Sequence, residues 1–202
     1  RLCHALRCPL LVLPASRMAA TGDETQTLVR GLRQLAMLAI PLNIKIGYQG
    51  WAGAAVAQTY LQAWDLVCEV DMPNLGLSLD SQAVLTANTP QEDLVADLEM
   101  LDPDRIFLVQ LTDLLAGSDQ PLRVLPGDGA HREALAGFVT SLHSLGYRGG
   151  YNLAAFNADY AAMPAQHVAQ RARGSALWLG QDVLQRSVPL PNQIRLRRML
   201  TV

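Results

Sequence analysis

Lysine is almost missing from this chain. Lys45 is the only one among 202 residues, and the formal net charge is −2. That balance offers no basic patch for gripping nucleic acid or an anionic membrane surface. Cysteine is scarce too. Cys3, Cys8 and Cys68 form an odd set without Cys-x-x-Cys or Cys/His ligand spacing, which argues against a disulfide framework and against a zinc site. Buried, reduced thiols in a cytoplasmic protein are the expectation. No apolar run is long enough to span a membrane. No Gly-x-Gly-x-x-Gly or Walker loop follows a strand-like segment, so a nucleotide-binding sheet is the weaker option.

Half of the residues are apolar, and the length suits one well-buried domain. The most informative stretch is Leu75-Gly-Leu-Ser-Leu-Asp80. Leu75, Leu77 and Leu79 share one strand face, and Gly76, Ser78 and Asp80 share the other. A greasy outer face, a small polar inner face and a C-terminal acid suit a strand of a (β/α)8 barrel, whose active sites lie at the mouth. Ile106-Phe-Leu-Val-Gln110 repeats the design, with parity placing Gln110 on the face of Ile106 and Leu108. Together the two strands suggest a ligand or metal site.

Strand and helix patterns alternate along the chain, as in a parallel α/β protein. Strands are expected near Pro9–Ala15, Ile44–Gln49, Leu75–Asp80, Ile106–Leu111, Arg123–Leu125 and Tyr151–Phe156. Arg1, Arg7 and the run Cys8–Pro14 superficially resemble a signal peptide, but a short run with two prolines reads better as a buried parallel strand. Helices are expected over about Asp23–Ile40, Ala54–Val70, Pro90–Leu101, His131–Leu145 and Pro164–Val183. Thr89-Pro90-Gln91-Glu92 reads as a capping box with proline at the first helical position. Gly146 suits the position just past a helix end. The expected count is six parallel strands, two βα units short of a closed barrel. The chain starts without Met just before a strand, which reads as a truncation, and its open sheet edges would invite self-association. Residues 1–186 make the barrel part, and 187–202 read as a linker or tail with solvated arginines.

Several segments carry a resemblance when taken in order. They are Tyr60–Val67, Leu77–Ser81, Asp104–Asp113, Pro126-Gly-Asp-Gly129 and Gly146-Tyr-Arg-Gly149. Over about residues 5–184 the chain resembles the xylose-isomerase-like sugar phosphate isomerase/epimerase superfamily. Within it, the segments look most like bacterial 3-dehydroshikimate dehydratases, which often carry a second domain similar to hydroxyphenylpyruvate dioxygenase. The resemblance implies a TIM barrel holding one divalent ion (Mg²⁺, Mn²⁺ or Co²⁺) and acting on a small polar, sugar-like substrate. It implies a metal-dependent loss of water from 3-dehydroshikimate that gives protocatechuate.

The same resemblance implies a ligand set of Glu, Asp, Gln or His, and Glu on successive mouth strands. Asp80 and Gln110 match it. Gln49 stands at the first Glu position and Ala154 at the last, while Ala83 stands where a nearby His serves the active site. Metal ligation would therefore fall to Asp80, Gln110 and Gln49. Hard divalent ions take much of their affinity from carboxylate charge, so the expected binding is weak or lost. Asp113 and Asp128 lie in loops from which they could reach inward. Arg123 is the candidate for a substrate carboxylate, since a guanidinium meets it bidentately, and Trp51 is a candidate pocket wall. Lys45, on the face of Gln49, reads as one half of an ion pair.

Three readings follow. The first is a degenerate, catalytically impaired relative of the dehydratases. The second is an active lyase with altered ligands. The third is a non-catalytic binding or assembly module that uses its open edges.

Overall fold

The computed structural model describes residues 2–17, 24–87, 90–115 and 122–185. After one helical turn at Leu2–Ala5, the chain forms strand β1 (Leu10–Pro14) and helix α1 (Glu24–Ala39). Then come β2 (Lys45–Gln49), α2 (Tyr60–Val70), β3 (Leu75–Asp80), α3 (Ser81–Ala87) and α4 (Gln91–Glu99). Next are β4 (Ile106–Leu111), β5 (Asp113–Leu114), β6 (Arg123–Val124) and α5 (Arg132–Leu145). The last elements are β7 (Gly150–Leu153), α6 (Ala158–Ala162) and α7 (Ala165–Leu177), which runs into a π-type turn at Trp178–Val183.

Five strands form one parallel sheet in the order β1-β2-β3-β4-β7. Parallel neighbours joined by helical crossovers are how a barrel wall is built. The expectation of six parallel strands is corrected here. Arg123–Val124 pairs antiparallel with Asp113–Leu114 in a separate two-stranded ribbon. The run was too short to fix its direction from sequence. Among the described residues, β1 and β7 are the edges of the sheet.

The outward residues of the central strands are fully buried. Ile46, Tyr48, Leu75, Leu77, Leu79, Val109 and Leu111 join one core with Leu32 and Ala36 of α1, Val67 of α2, Leu98 of α4 and Phe138 of α5. Burying such side chains stabilises by about 1.5–3 kcal/mol each, so this layer holds the wall in shape. Apart from Leu108, the inward residues of β2, β3 and β4 are small or polar, which leaves the strand ends free for a site.

A bulge interrupts the β3–β4 pairing. Leu77 pairs with Ile106, but Ser78 pairs with Leu108 and Asp80 with Gln110. The extra residue is Phe107, whose ring lies under the Lys45 ammonium at 4.7 Å. The bulge corrects the parity reading. Ile106 belongs to the outer core, and only Leu108 and Gln110 keep register with the inward row of β3.

Three local expectations also change. Helix α2 starts at Tyr60 rather than Ala54, because Thr59 caps it by accepting from Gln62 N at 3.2 Å. Its buried face is Ala63, Leu66, Val67 and Val70, while Cys68 is exposed. None of the three thiols is buried: Cys3 is half-buried, and Cys8 and Cys68 are exposed. Gly146 does end α5, with φ +108°. Thr89 and residues 187–202 lie outside the described residues. No helix among the described residues is long and apolar enough to cross a membrane.

Candidate functional site

Gln49, Asp80 and Gln110 end three adjacent strands and meet. Gln110 Nε2 donates to Gln49 Oε1 at 2.8 Å, and Gln49 Nε2 donates to Asp80 Oδ2 at 3.1 Å. Chemistry fixes this direction: a carboxylate only accepts, so Gln49 presents its amide nitrogen to Asp80 and its oxygen to Gln110. Arg123 arrives from β6 and donates to the same Asp80 Oδ2 at 2.7 Å. Gln82 N donates to Asp80 Oδ1 at 3.0 Å. That last bond makes Asp80 the N-cap of α3, a helix the sequence reading did not anticipate. Protein donors thus occupy both carboxylate oxygens.

The cluster opens on a cavity of about 610 Å³ whose wall includes Gln49, Trp51, Tyr60, Asp80, Ala83 and Arg123. Trp51 is fixed there by its indole N–H donating to Ala15 O at 2.7 Å, with Arg17 over the ring at 4.8 Å. The structure therefore places the proposed metal-side residues and both substrate-side residues, Arg123 and Trp51, around one mouth. Tyr60 and Asp97 were missed. Tyr60 Oη donates to Asp97 Oδ2 at 2.9 Å on the cavity wall. Burial pushes the Tyr60 phenol well above its ordinary range, and Asp97 adds to the shift. The two residues lie 37 positions apart on different helices, and no local pattern links them.

Other expected contributors lie elsewhere. Ala154 is fully buried beyond the end of β7, with its N–H donating to Leu111 O at 2.8 Å. Asn152 pairs in register with Gln110. Asp113 and Asp128 do not reach the mouth. Asp113 is fully buried and accepts from the main-chain N–H of Leu114, Gly127, Gly129 and His131 at 2.8–3.2 Å. It organises the Pro126-Gly-Asp-Gly129 turn, where Gly127 has φ +87° and a Cβ on Gly129 would fall 2.5 Å from Asp113 Oδ1. Asp128 takes Tyr160 Oη at 3.1 Å and Arg171 at 2.9 Å. Lys45 faces the Phe107 ring where an acid had been expected.

The donor set does not fit a hard divalent ion. One carboxylate, two carboxamides and a guanidinium converge, and among the described residues no group of three His, Cys, Asp or Glu could hold a metal. A guanidinium at 2.7 Å balances the charge of the lone carboxylate.

Residues 1–180 match the protein family described as xylose isomerase-like TIM barrel. The chain is 37% identical over 189 residues to a 3-dehydroshikimate dehydratase of Pseudomonas aeruginosa, a match covering 89% of this chain and 29% of that protein. It is 34% identical over 180 residues to a 3-dehydroshikimate dehydratase of Pseudomonas putida, covering 85% and 27%. The chain thus spans under a third of the length of these curated relatives. Among solved structures it is similar to a xylose isomerase-like TIM barrel/4-hydroxyphenylpyruvate dioxygenase fusion protein (TM-score 0.74, 29% identity, 86% of this chain and 28% of that one). An IOLI protein with a binding zinc atom shares the fold (TM-score 0.74, 22% identity, 90% and 66%).

Proposed function

The chain belongs to the xylose isomerase-like TIM barrel family, and from that premise we propose that it is a 3-dehydroshikimate dehydratase-like barrel whose metal-dependent lyase chemistry is impaired. One observation carries the reading: the hydrogen bond from Gln49 Nε2 to Asp80 Oδ2. A glutamate at position 49 would set two carboxylates against each other and call for a cation between them. Glutamine closes the contact by itself. With Arg123 on the same oxygen, the floor of the mouth balances one negative charge with one positive charge.

The names of the two Pseudomonas relatives support the substrate class, a small polar ring acid of the 3-dehydroshikimate type. The open cavity beside the network favours retained binding of such a molecule without turnover. Ala83 and Ala154 offer no titratable group for proton transfer or ligation. The test is to titrate the chain with Mn²⁺ by calorimetry and to follow protocatechuate formation from 3-dehydroshikimate with and without the ion. The expected result is no micromolar Mn²⁺ binding and no product above background. Micromolar binding with metal-dependent turnover would establish the active-lyase reading instead.

A further inference from the structure

We infer that the cavity takes a ligand longer than a bare ring acid: a hydroxyaryl ester of such an acid, with the ring at the strand ends and the aryl group in the branch along α3 that Tyr60 and Asp97 also line. This deepens the proposed binding of a ring acid and rests on it.

Size comes first. The cavity measures about 610 Å³, inside the range of about 300–1,000 Å³ that encloses drug-sized ligands. A single ring with its carboxylate and hydroxyls is much smaller than such a ligand. The wall shows where the surplus lies. From Asp80 on the floor it follows α3 past Ala83 to Ala87. At ~1.5 Å of rise per residue, that run is about 10 Å long. Tyr60 and Leu61 of α2 and Asp97 of α4 line the same cavity.

Polarity then gives the order of groups in the ligand. On the floor, Arg123 spends one nitrogen on Asp80 and keeps other donors of its fork for a carboxylate. Along the branch, Leu61, Ala83 and Ala87 bring only apolar side chains. The hydroxyls beside them are already committed. Thr86 Oγ1 donates to Gln82 O at 2.8 Å, and Thr59 Oγ1 accepts from Gln62 N at 3.2 Å. Polarity returns where α2 faces α4. Tyr60 Oη donates to Asp97 Oδ2 at 2.9 Å, and no other donor meets the Asp97 side chain among the described residues. Burial and Asp97 keep the Tyr60 proton in place. The pair therefore has acceptors to offer and no donor, so it selects a hydroxyl or another donor group. A carboxylate, an apolar body and a hydrogen-bond donor, in that order, describe a ring acid esterified with a hydroxyaryl acid. Burying the aryl group supplies affinity that the ring alone cannot gain.

The experiment is calorimetric titration with quinate, 3-dehydroshikimate, caffeoylquinate and dimethoxycinnamoylquinate, in which the phenolic donors are methylated. The proteins are the natural chain, Ala87→Leu and Asp97→Asn, each checked for folding by circular dichroism. Caffeoylquinate is expected to bind the natural chain at least about tenfold more tightly than quinate. Ala87→Leu fills the branch and is expected to erase that gain while quinate binds as before. Methylation of the phenols is expected to weaken binding to the natural chain several-fold and to make no difference to Asp97→Asn, since the donor and the acid act as a pair. Equal affinity of the natural chain for quinate and caffeoylquinate would overturn the inference, as would a gain that survives Ala87→Leu. Should neither quinate nor 3-dehydroshikimate bind, the ring-acid reading fails. Methyl caffeate then tests the branch alone: binding that Ala87→Leu abolishes upholds it, and no binding refutes it. If the variants do not fold, saturation-transfer nuclear magnetic resonance on the natural chain decides. Saturation of the caffeoyl protons is expected, and saturation of the quinate ring alone refutes the inference.

Discussion

Asp80 ends β3 of the parallel sheet and Asp113 opens β5 of the separate ribbon, and both are buried, at 7% and 0% exposure. They are held in opposite ways. Four main-chain N–H groups converge on Asp113. Asp80 takes one main-chain N–H and two side chains, Gln49 and Arg123. An anion served by the backbone depends on the path of the chain, and beyond that only on glycine where a Cβ would not fit. An anion served by side chains depends on the identity of each neighbour. Exchange of a carboxylate oxygen for an amide nitrogen at position 49 is enough to turn a set of acids that repel into a chain of donors and acceptors that closes. The part of the mouth that sets its architecture is thus insulated from such exchanges, and the part that sets its chemistry is exposed to them.

The hardest test of this contrast is Asp113→Ala. It orphans four main-chain N–H groups, Leu114 buried and Gly127, Gly129 and His131 half-buried, and should cost about 4 kcal/mol of stability by urea denaturation. Asp80→Ala leaves Arg123 able to turn toward water, so its cost should be smaller, about 2 kcal/mol after allowing for partial exposure of the arginine. A loss at Asp80 equal to that at Asp113 would break the comparison.

Tyr48 sharpens it from a third side, because its buried hydroxyl has no hydrogen-bond partner among the described residues. Burial pushes its phenol up to about 12. The unfolded chain releases this proton near pH 10 and the folded chain holds it, so the contribution is intact below pH 10 and is lost as pH rises toward 12. Tyr48→Phe should leave neutral stability nearly unchanged and flatten part of the alkaline decline, by up to about 2 kcal/mol. An unchanged decline would sink the assignment. Tyr60, Tyr147 and Tyr160, also raised by burial, add to the decline. The smallest effect belongs to Arg171→Ala. Its pair with Asp128 is 48% and 29% exposed, and its loss should cost under about 0.5 kcal/mol in the same urea titration.

The strands at Leu75–Asp80 and Ile106–Leu111 were legible to the residue because alternation and apolar runs record which face is covered. The grouping of Gln49, Asp80 and Gln110 came from the family resemblance, and the parallel strands bring the three side chains into contact. The capture of Asp80 by Arg123 was not legible. It needs the direction of a two-residue strand, and antiparallel pairing of Asp113–Leu114 with Arg123–Val124 leaves no periodic trace. Asp113 was mistaken for a residue free to enter the mouth, although the Pro-Gly-Asp-Gly turn downstream offers the kind of closely spaced N–H groups that hold an anion. Helix α3 escaped notice because its cap is the site acid itself.

Phe107, the extra residue in β4, acts as a phase shifter. Before it, β3 and β4 keep step with Leu77 opposite Ile106; after it, Asp80 meets Gln110. Without that one-residue delay Asp80 would stand beside Val109, and Gln110 would turn toward the helices. Gln49 would then lose the amide that engages its oxygen, and only Asp80 would hold it, by its nitrogen end. The closure of the relay, from Gln110 to Gln49 to Asp80, is set by the timing of a strand three residues before Gln110.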